Sequence, residues 1–357
     1  MDDALRRGSP DNLTIQIIRI DDLADADANE VFGPPSELPP PPLLEAGKPF
    51  DGYRIVREIH GSNRSHIYLA VDTDSDDLVA IKIPSIDMRG DPAYLKRFML
   101  EEWVARRIDS PHVLKPHEHT RKRNYLYSVM EFVDGQTLGQ WMIDNQKPDL
   151  ETVRNIIEQI ARGLRAFHRK EMLHQDLRPE NIMIDKTATV KIIDFGSTRI
   201  AGVAEAAVRN DILGTTQYAA PEYLLGEAGS PRSDMFSLGV IGYQMLTGKL
   251  PYGSQMAQAR TRSQFGKLRY HSALDDNREI PAWIDGALRK AVHTDPGKRY
   301  ESLSEFTFDL RNPNSKHLET SPKPLIERNP NLFWKLATAI LVCVVIALLA
   351  SRFLIHH

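Results

Sequence analysis

The most informative part of the sequence is the string His174-Gln175-Asp176-Leu177-Arg178-Pro179-Glu180-Asn181-Ile182-Met183. Thirteen residues after Asn181, the apolar run Val190-Lys191-Ile192-Ile193 leads into Asp194-Phe195-Gly196. Two more strings follow, Gly214-Thr215-Thr216-Gln217-Tyr218-Ala219-Ala220-Pro221-Glu222 and Ser233-Asp234-Met235-Phe236-Ser237-Leu238-Gly239, and Val79-Ala80-Ile81-Lys82 precedes them all. Any one of these strings could arise by chance, but the whole set in this order and spacing could not. The strings therefore belong to one body of the chain and are best interpreted together.

Around these strings, a strand-rich part of the chain is followed by a helix-rich part. Runs of β-branched and aromatic residues predict strands over residues 53–59, 65–72, 78–84 and 125–132. Asp91 followed by Pro92 predicts a capped helix that continues to about Asp109. Apolar residues at three-to-four spacing predict a further helix, with one face formed by Val153, Ile156, Ile157, Ile160, Leu164 and Phe167. This order of elements predicts an α+β, two-lobed body.

An acidic residue interrupts the apolar face of the helix that follows Lys82. Glu101 shares that face with Phe98, Ala105 and Ile108. A carboxylate in such a position needs a cation, and Lys82 is the obvious candidate. Glu102 fits a neighbouring stripe almost as well, so periodicity alone does not choose between the two acids.

The ordered set of strings resembles the eukaryotic-type protein kinases, and specifically their bacterial (Hanks-type) serine/threonine branch. The resemblance covers roughly residues 50–311 and ends with Asp295-Pro296 and Arg299. It implies the protein kinase fold, with a small β-rich N-lobe and a larger helical C-lobe. It also implies a phosphotransferase that binds ATP and moves the γ-phosphate to serine or threonine of protein substrates.

The resemblance implies roles for the matched residues in phosphoryl transfer. Asp176 would accept or orient the proton of the substrate hydroxyl, and Asn181 and Asp194 would supply oxygen ligands to Mg²⁺, with Mn²⁺ as an alternative. Lys82 would hold the α and β phosphates, with Glu101 as its ion-pair partner by alignment.

Further matches concern charge, the acceptor and the base. Arg178 stands where these kinases usually carry lysine, and it can neutralise charge as a planar fork. Thr215 matches the threonine that braces the catalytic aspartate, which indicates a serine or threonine acceptor. A hinge over residues 130–133 and an apolar sandwich would bind the adenine, and together they comprise Ile59, Ile67, Ala80, Met130, Glu131, Val133 and Met183.

The chain departs from the family pattern at two places. Where the family has its glycine-rich loop, the usual glycines are replaced by His60, Ser62 and Ser65, while Gly61 falls between. Glycines there let the backbone approach the phosphates closely. The second departure is Gln175, which stands in place of arginine before the catalytic aspartate. The glycine-poor loop favours slower catalysis, and it leaves the predicted fold unchanged.

Composition excludes several other classes of protein. The chain has 357 residues, of which 41% are hydrophobic and 26% charged, so wholesale disorder is excluded. Its 45 basic and 48 acidic residues nearly balance, which argues against nucleic acid as a partner. The single cysteine, Cys343, excludes a disulfide framework and a cysteine-based zinc site. The acidic start, Met1-Asp2-Asp3, predicts no signal peptide.

The C-terminal stretch predicts a membrane anchor. Residues 336–351 carry no charge, and as a helix they would span about 24 Å, slightly less than the roughly 30 Å hydrocarbon core. Flanking Lys335 and Arg352 can snorkel, so we expect a transmembrane helix over residues 333–355 and not a buried helix of a soluble domain. Lys323, Arg328 and Lys335 precede the uncharged stretch 336–351 and only Arg352 follows it directly, which predicts a single pass with the kinase domain in the cytoplasm. Only six residues follow residue 351, which predicts no domain on the far side.

Two segments precede the kinase-like body. Residues 1–20 resemble the closing segment of metal-dependent protein phosphatases, in which an aspartate matching Asp11 helps to bind metal. No other part of that fold is present, so we interpret the segment as a remnant, similar to bacterial fusions of a phosphatase with a kinase. Residues 21–49 form an acidic and proline-rich linker, and the six prolines within residues 33–43 predict a stiff extended spacer without packing contacts. The predicted boundaries continue with a kinase domain over 50–311 and a juxtamembrane linker over 312–332.

Two functions of different classes follow from these observations. The first is a membrane-anchored serine/threonine protein kinase in signalling, favoured by the presence of Lys82, Glu101, Asp176, Asn181 and Asp194. The alternative is a pseudokinase, a nucleotide-binding scaffold at the membrane, favoured by the glycine-poor loop. Residual phosphatase activity is disfavoured because a lone aspartate cannot hold a dinuclear metal site.

Overall fold

The structure, a computed structural model, describes residues 38–118, 121–200, 217–276 and 279–314, together with Trp334, Lys335, Thr338, Leu341 and Val342. These residues form a small lobe built on a sheet and a larger helical lobe, so the prediction of an α+β, two-lobed body is confirmed. Thr215, the phosphatase-like segment 1–20 and most of the predicted transmembrane span lie outside the described residues. Within the described residues, no helix is both long and apolar enough to cross a membrane.

The small lobe is a five-stranded antiparallel sheet with the strand order β1-β2-β3-β4-β5. Its strands are β1 (Pro49–Phe50), β2 (Tyr53–Gly61), β3 (Ser65–Asp72), β4 (Leu78–Pro84) and β5 (Ser128–Glu131). One face of β4 buries Val79, Ile81 and Ile83 in the core of this lobe. Because side chains alternate along a strand, Ala80 and Lys82 lie on the opposite face, toward the large lobe.

Helix α1 (Pro92–Ala105) is the only long helix among the described residues of the small lobe. It begins as predicted, because the Asp91 side chain accepts hydrogen bonds from the Ala93 and Tyr94 amides and Pro92 occupies the first turn. It ends at Ala105, before the predicted end near Asp109. The Arg107 amide donates to the Val104 carbonyl at 3.0 Å, an i→i−3 bond in place of the helical i→i−4 bond, so the chain leaves the helix in a tight turn.

Strand β5 is shorter than the predicted strand over residues 125–132. It begins only at Ser128, which pairs with Lys82 of β4. Upstream of that point, the Leu126 amide donates to the Pro39 carbonyl at 2.9 Å and not to β4.

The described part of the proline-rich segment packs on the small lobe. We call residues 38–42 the N-terminal strap. Pro41 is buried, and Leu38 packs against a small apolar cluster that includes Tyr94 and Phe98 of α1. The prediction of a spacer without packing contacts is therefore wrong for this part. Composition predicts that a proline-rich chain is stiff, but it does not exclude packing. Proline still has a carbonyl that accepts hydrogen bonds, and the apolar Leu38 packs on the lobe.

The large lobe is helical. Its helices are α2 (Leu138–Asp144), α3 (Leu150–His168), α4 (Pro221–Leu224), α5 (Pro231–Thr247), α6 (Gln255–Gln258), α7 (Arg262–Lys267), α8 (Ala273–Asp276), α9 (Ala282–Ala291) and α10 (Leu303–Arg311). The predicted apolar face of α3 is buried throughout, and it packs on α5, which is buried on nearly all sides. Helix α5 begins with a capping box between Ser230 and Ser233 and ends at Gly248, whose φ of 70° suits glycine.

Two small sheets on the large lobe position the loops that face the sheet of the small lobe. One contains β6 (Gly135–Thr137), β8 (Ile182–Asp185) and β9 (Val190–Ile192), in the order β6-β8-β9. The other pairs β7 (Met172–Leu173) with β10 (Arg199–Ile200). The loop between β7 and β8 contains Asp176 and Asn181, and the loop after β9 contains Asp194, so the predicted site residues meet at the cleft between the lobes.

Candidate active site

Asp234 of helix α5 holds the loop between β7 and β8 in place through hydrogen bonds to the loop backbone. The buried Asp234 carboxylate accepts hydrogen bonds from the His174 and Gln175 amides, both at 3.1 Å. Its third contact is with Nε2 of His168, at 2.9 Å. Gln175 has a positive φ of 66°, a conformation that costs energy for a non-glycine residue and is held here by these bonds. Asp234 thus sets the path of the backbone that presents Asp176.

Asp176 and Asn181 form one hydrogen-bonded unit in this loop. The Asn181 side-chain amide donates to the Asp176 carbonyl at 2.9 Å and to its carboxylate at 3.1 Å. Burial raises the pKa of Asp176 above its ordinary value. Because the Asn181 nitrogen is used by Asp176, the amide oxygen is the group left to bind a cation.

Asp194 is held in a strained conformation at the end of β9. Its φ is 63°, and its carboxylate accepts a hydrogen bond from the Gly196 amide at 3.2 Å. The next residue, Phe195, is buried and packs against Phe167 and His174, with ring centroids 5.6 and 6.5 Å apart. A Cβ at Gly196 would lie 2.9 Å from Oε1 of Glu101, so a side chain at this position would press on the carboxylate that pairs with Lys82.

Lys82 pairs with Glu101 and not with Glu102. Its Nζ lies 2.7 Å from both carboxylate oxygens of Glu101, whose side chain is buried. Glu102 instead accepts hydrogen bonds from Arg106 and Arg123. The sequence pattern left both acids open, and the direction of each side chain from α1 separates them.

Lys82, Glu101 and Asp194 form a charged group that faces the loop of Asp176. Burial opposes the charge on Lys82, but the Glu101 and Asp194 carboxylates raise the pKa of the lysine above its ordinary value. Desolvation in the cleft likewise opposes the charge on Asp194, while the Lys82 ammonium and the Gly196 amide lower the pKa of that carboxyl to about 2. At neutral pH the group therefore presents a cation at Lys82 and a carboxylate at Asp194, while burial raises the pKa of Glu101 above its ordinary value against the opposing charge of Lys82.

The residues predicted to hold adenine line the cleft from both lobes. Ile67 pairs with Lys82 in the sheet and Ala80 pairs with Met130, so these side chains share the face that carries the lysine. Ile59 is partly buried beside a β-bulge of β2, and Met183 on β8 contributes a partly buried side chain from the large lobe. Met130 and Val133 are buried where the chain passes between the lobes.

Glu131 has a structural side chain, although the resemblance placed it in the nucleotide site. Its carboxylate accepts hydrogen bonds from Lys191 Nζ at 2.7 and 2.8 Å and from the Lys115 amide at 2.9 Å. These contacts tie the segment between the lobes to β9. Any contact of Glu131 with a nucleotide is therefore left to its backbone.

Arg178 is engaged by a neighbour on the same loop. Its Nε donates to the Glu180 carboxylate at 2.8 Å, and its side chain is partly exposed. The pair is open to solvent, so little energy holds the guanidinium in this position. A phosphate in the cleft could compete with Glu180 for it.

The loop between β2 and β3 is closed on itself by Ser62. The Ser62 hydroxyl accepts hydrogen bonds from the Arg64 amide at 3.3 Å and the Ser65 amide at 3.1 Å, and it donates to the Ser65 carbonyl at 3.1 Å. A further hydrogen bond joins His66 Nδ1 to the Glu58 carboxylate across the hairpin at 2.8 Å. Backbone amides of such loops bind phosphate oxygens in nucleotide sites, and here a side chain of the loop itself already bonds two of them.

A hard cation fits the oxygen groups of the cleft. No cluster of three or more histidine, cysteine, aspartate or glutamate side chains able to hold a metal occurs among the described residues. Asp194 and Asn181 offer one carboxylate and one amide oxygen. Mg²⁺ is commonly bound by one or two protein oxygens together with substrate phosphates and water, and this donor set fits that pattern.

Several residues that shape the site carried no distinct signal of their own in the sequence. Asp234 was visible as part of a string, but its bonds to the loop of Asp176 depend on how α5 packs. The Glu131–Lys191 pair joins residues 60 positions apart, and the bonds of Ser62 depend on the path of the loop. For the Ser62 bonds, the only signal in the sequence was a serine in the place of a family glycine.

In this structure a lysine–glutamate pair on the small lobe faces an aspartate–asparagine–aspartate group on the helical lobe. This arrangement defines the class of phosphotransferases that use a nucleoside triphosphate in an interlobe cleft. Comparison with known proteins identifies the family within that class. Residues 53–307 match the protein kinase domain, and the chain belongs to that family.

The chain is similar to bacterial serine/threonine-protein kinases. It is 30% identical over 266 residues to PrkC of Bacillus subtilis, which covers 74% of this chain and 41% of PrkC. It is 29% identical over 270 residues to the probable serine/threonine-protein kinase PknB of Lactococcus lactis, covering 75% of this chain and 43% of that protein. The chain thus spans less than half the length of these two relatives. The crystal structure of the PknI kinase domain of Mycobacterium tuberculosis matches 75% of this chain and 99% of its own, with a TM-score of 0.58 and 26% identity.

Proposed function

We propose that this chain is an ATP-dependent protein kinase that transfers the γ-phosphate of ATP to serine or threonine of protein substrates. The observation that carries this proposal is the ion pair between Lys82 and Glu101, at 2.7 Å, in the same cleft as Asp194, Asn181 and Asp176. The family match supports ATP and a divalent cation as the groups that bind there. We further propose Mg²⁺, which suits the carboxylate and amide oxygens, with Mn²⁺ as an alternative.

The residues of the cleft can divide the work of phosphoryl transfer. The acceptor hydroxyl oxygen forms a bond to the γ-phosphorus while the bond from phosphorus to the β–γ bridging oxygen breaks, and ADP leaves. Asp176 takes the hydroxyl proton, and its raised pKa makes it a better proton acceptor than an exposed aspartate. Lys82, held by Glu101, orients the α and β phosphates. The cation, when bound at Asp194 and Asn181, supplies positive charge to the phosphates.

The experiment that tests this proposal compares the chain with Asp176→Asn. Purified protein is incubated with labelled ATP, Mg²⁺ and a generic protein acceptor, and phosphate transfer is followed. We expect transfer by the wild type and a loss of at least about 100-fold in the variant, the size of a general-base contribution. Binding of Mg·ATP, measured by calorimetry, should be retained because Asp176 acts on the acceptor and not on the nucleotide.

A pseudokinase is the second candidate, and the closed loop at Ser62 is the observation that favours it. Two amides that could approach phosphate are bonded to the Ser62 hydroxyl. The same experiment separates the two candidates. Nucleotide binding without transfer, equal in wild type and Asp176→Asn, would establish a scaffold and reject the kinase.

We also propose that the chain is anchored in a membrane in a single pass, with the kinase domain on the cytoplasmic side, and that it acts in signalling. The uncharged residues 336–351 and the basic residues before them support this. Among the described residues of this stretch, which are helical, Trp334, Leu341 and Val342 have exposed side chains.

Deletion of residues 333–357 tests the anchor. We expect the full chain to sediment with membranes and the truncated chain to remain in the supernatant with its phosphotransfer rate within about twofold, because the kinase match ends at residue 307. A full chain that stays in the supernatant would contradict the anchor. A truncated chain that misfolds would show that the apolar segment belongs to the core.

A further inference from the structure

The N-terminal strap contacts the small lobe at three points around helix α1. Leu38 packs against the apolar cluster of Tyr94, Phe98 and Leu126. The Pro39 carbonyl accepts a hydrogen bond from the Leu126 amide at 2.9 Å. The guanidinium of Arg89, three residues before α1 begins, donates to the carbonyl of the buried Pro41. The strap therefore bridges the segment just before β5 and the turn that leads into α1.

The face of α1 that contacts this cluster also carries Glu101. Tyr94, Phe98 and Glu101 are spaced by four and three residues, which places them along one side of a helix. The Tyr94 hydroxyl in addition donates to the Arg64 carbonyl, in the loop that Ser62 closes. A rotation or withdrawal of this face would move Glu101 away from Lys82 and loosen the loop at the same time.

The strap lies outside the part of the chain that matches the protein kinase family, which begins at residue 53. Its composition suits docking, because a proline-rich segment has few conformations to lose when it becomes ordered. It also suits the edge of a sheet, because proline carbonyls accept hydrogen bonds there and proline has no backbone N–H that would need a partner.

We propose that the N-terminal strap is a positioning segment for catalysis, which holds α1 in the orientation that pairs Glu101 with Lys82, with Leu38 as its apolar anchor. The inference rests on the proposed kinase function. Detachment of the strap, by any force or partner acting on the chain before it, lowers activity without altering a residue that touches ATP.

The first test compares Leu38→Ala with Leu43→Ala in the full chain. Leu43 follows the strap and is 49% exposed, so it controls for loss of a leucine from the same segment. We expect Leu38→Ala to lower kcat/KM about 5- to 20-fold and to speed hydrogen exchange of the α1 amides, while exchange in the α3 amides stays unchanged. Leu43→Ala should leave both quantities within twofold of wild type. Equal effects of the two variants, or unchanged α1 exchange in Leu38→Ala, would overturn the proposal.

The second test asks whether the strap acts through Glu101. Leu38→Ala is combined with Glu101→Gln, and the dissociation constant of Mg·ATP is measured in all four forms of the cycle. If the strap positions Glu101, Leu38→Ala weakens binding in the wild type but by less than twofold in the Glu101→Gln background. The same loss in both backgrounds would reject a positioning role. If the wild type transfers no phosphate, the proposed kinase function fails, while α1 exchange and ATP binding still decide the role of the strap.

Discussion

At the scale of single residues, Ser62 has the clearest measurable consequence. Its hydroxyl holds two backbone amides of the loop that should cover the phosphates. A hydrogen bond to a charged group contributes about 1.5–3 kcal/mol, so amides released from Ser62 can gain by binding phosphate. Part of that gain is lost to the greater freedom of glycine, roughly 0.5–1 kcal/mol.

We therefore predict that Ser62→Gly lowers the KM for ATP about 3- to 10-fold. Initial rates measured over a range of ATP concentrations, at a fixed acceptor concentration, give the result. Asn63→Gly is the matched control, since it adds the same backbone freedom at the next position of the exposed loop and leaves the Ser62 bonds in place. An equal fall of KM in the control would attribute the effect to flexibility, and a rise in Ser62→Gly would show that the hydroxyl supports nucleotide binding.

The Lys82 pair shows how far single residues could be predicted. Local periodicity placed an acid near Lys82 but allowed both Glu101 and Glu102, because adjacent residues of a helix differ by only about 100° in direction. Alignment with the kinase family favoured Glu101, and the structure gives the physical reason. Glu102 lies where Arg106 and Arg123 reach it, and Arg123 comes from a separate segment that periodicity cannot place.

At the scale of secondary-structure elements, a buried ion pair joins several parts of the large lobe. Arg299 donates two hydrogen bonds to Glu222 of α4, at 2.7 and 2.8 Å, and its side chain has no exposed surface. It also donates to the carbonyls of Arg232 in α5 and His293 after α9. Loss of the arginine would leave the buried Glu222 carboxylate without its cation, with a hydrogen bond from the Ser233 hydroxyl remaining, and would remove an N–H donor from the carbonyls of Arg232, His293 and Thr294.

We predict that Arg299→Ala lowers the free energy of unfolding by about 3–5 kcal/mol, the usual cost of breaking a buried pair. Arg311→Ala is the comparison, because Arg311 makes ion pairs with Glu151 and Glu158 but is about one third exposed, and it should cost at most about 1 kcal/mol. Urea denaturation of the two variants in parallel measures both quantities. Similar losses in the two variants would contradict the role assigned to burial.

The N-terminal strap marks the limit of prediction at this scale. Helix α3 was predicted well because its own residues carry the apolar period that its packing requires. The proline-rich segment has no period, and its position depends on an apolar cluster formed by α1 and Leu126, which are 50 to 90 residues away in the chain. Composition alone therefore described its stiffness correctly and its packing wrongly.

At the scale of the whole molecule, the two lobes and their cleft followed from the order of strands, helices and motifs. The catalytic strings could be placed because each occupies a loop beside a short strand. Asp194 follows strand β9, as the apolar run before it predicted. How the chain controls its activity depends instead on contacts between distant parts of the sequence. Examples are the packing of the strap on α1 and the hydrogen bond from the Gln175 amide to Asp234.

The sequence around Gln175 predicts that activity does not depend on phosphorylation of the segment after Asp194. Kinases with arginine at the position of Gln175 use its charge to dock a phosphorylated segment, whereas neutral glutamine offers only ordinary hydrogen bonds. Between Gly196 and Gly214 only Ser197 and Thr198 carry hydroxyls, and Thr198 is buried, which leaves Ser197. We predict that dephosphorylated protein and autophosphorylated protein have the same initial rate within about twofold, and that Ser197→Ala changes neither. A tenfold loss on dephosphorylation, about 1.4 kcal/mol of barrier, that is absent in Ser197→Ala would show that a phosphate on Ser197 is required and that another group replaces the missing arginine.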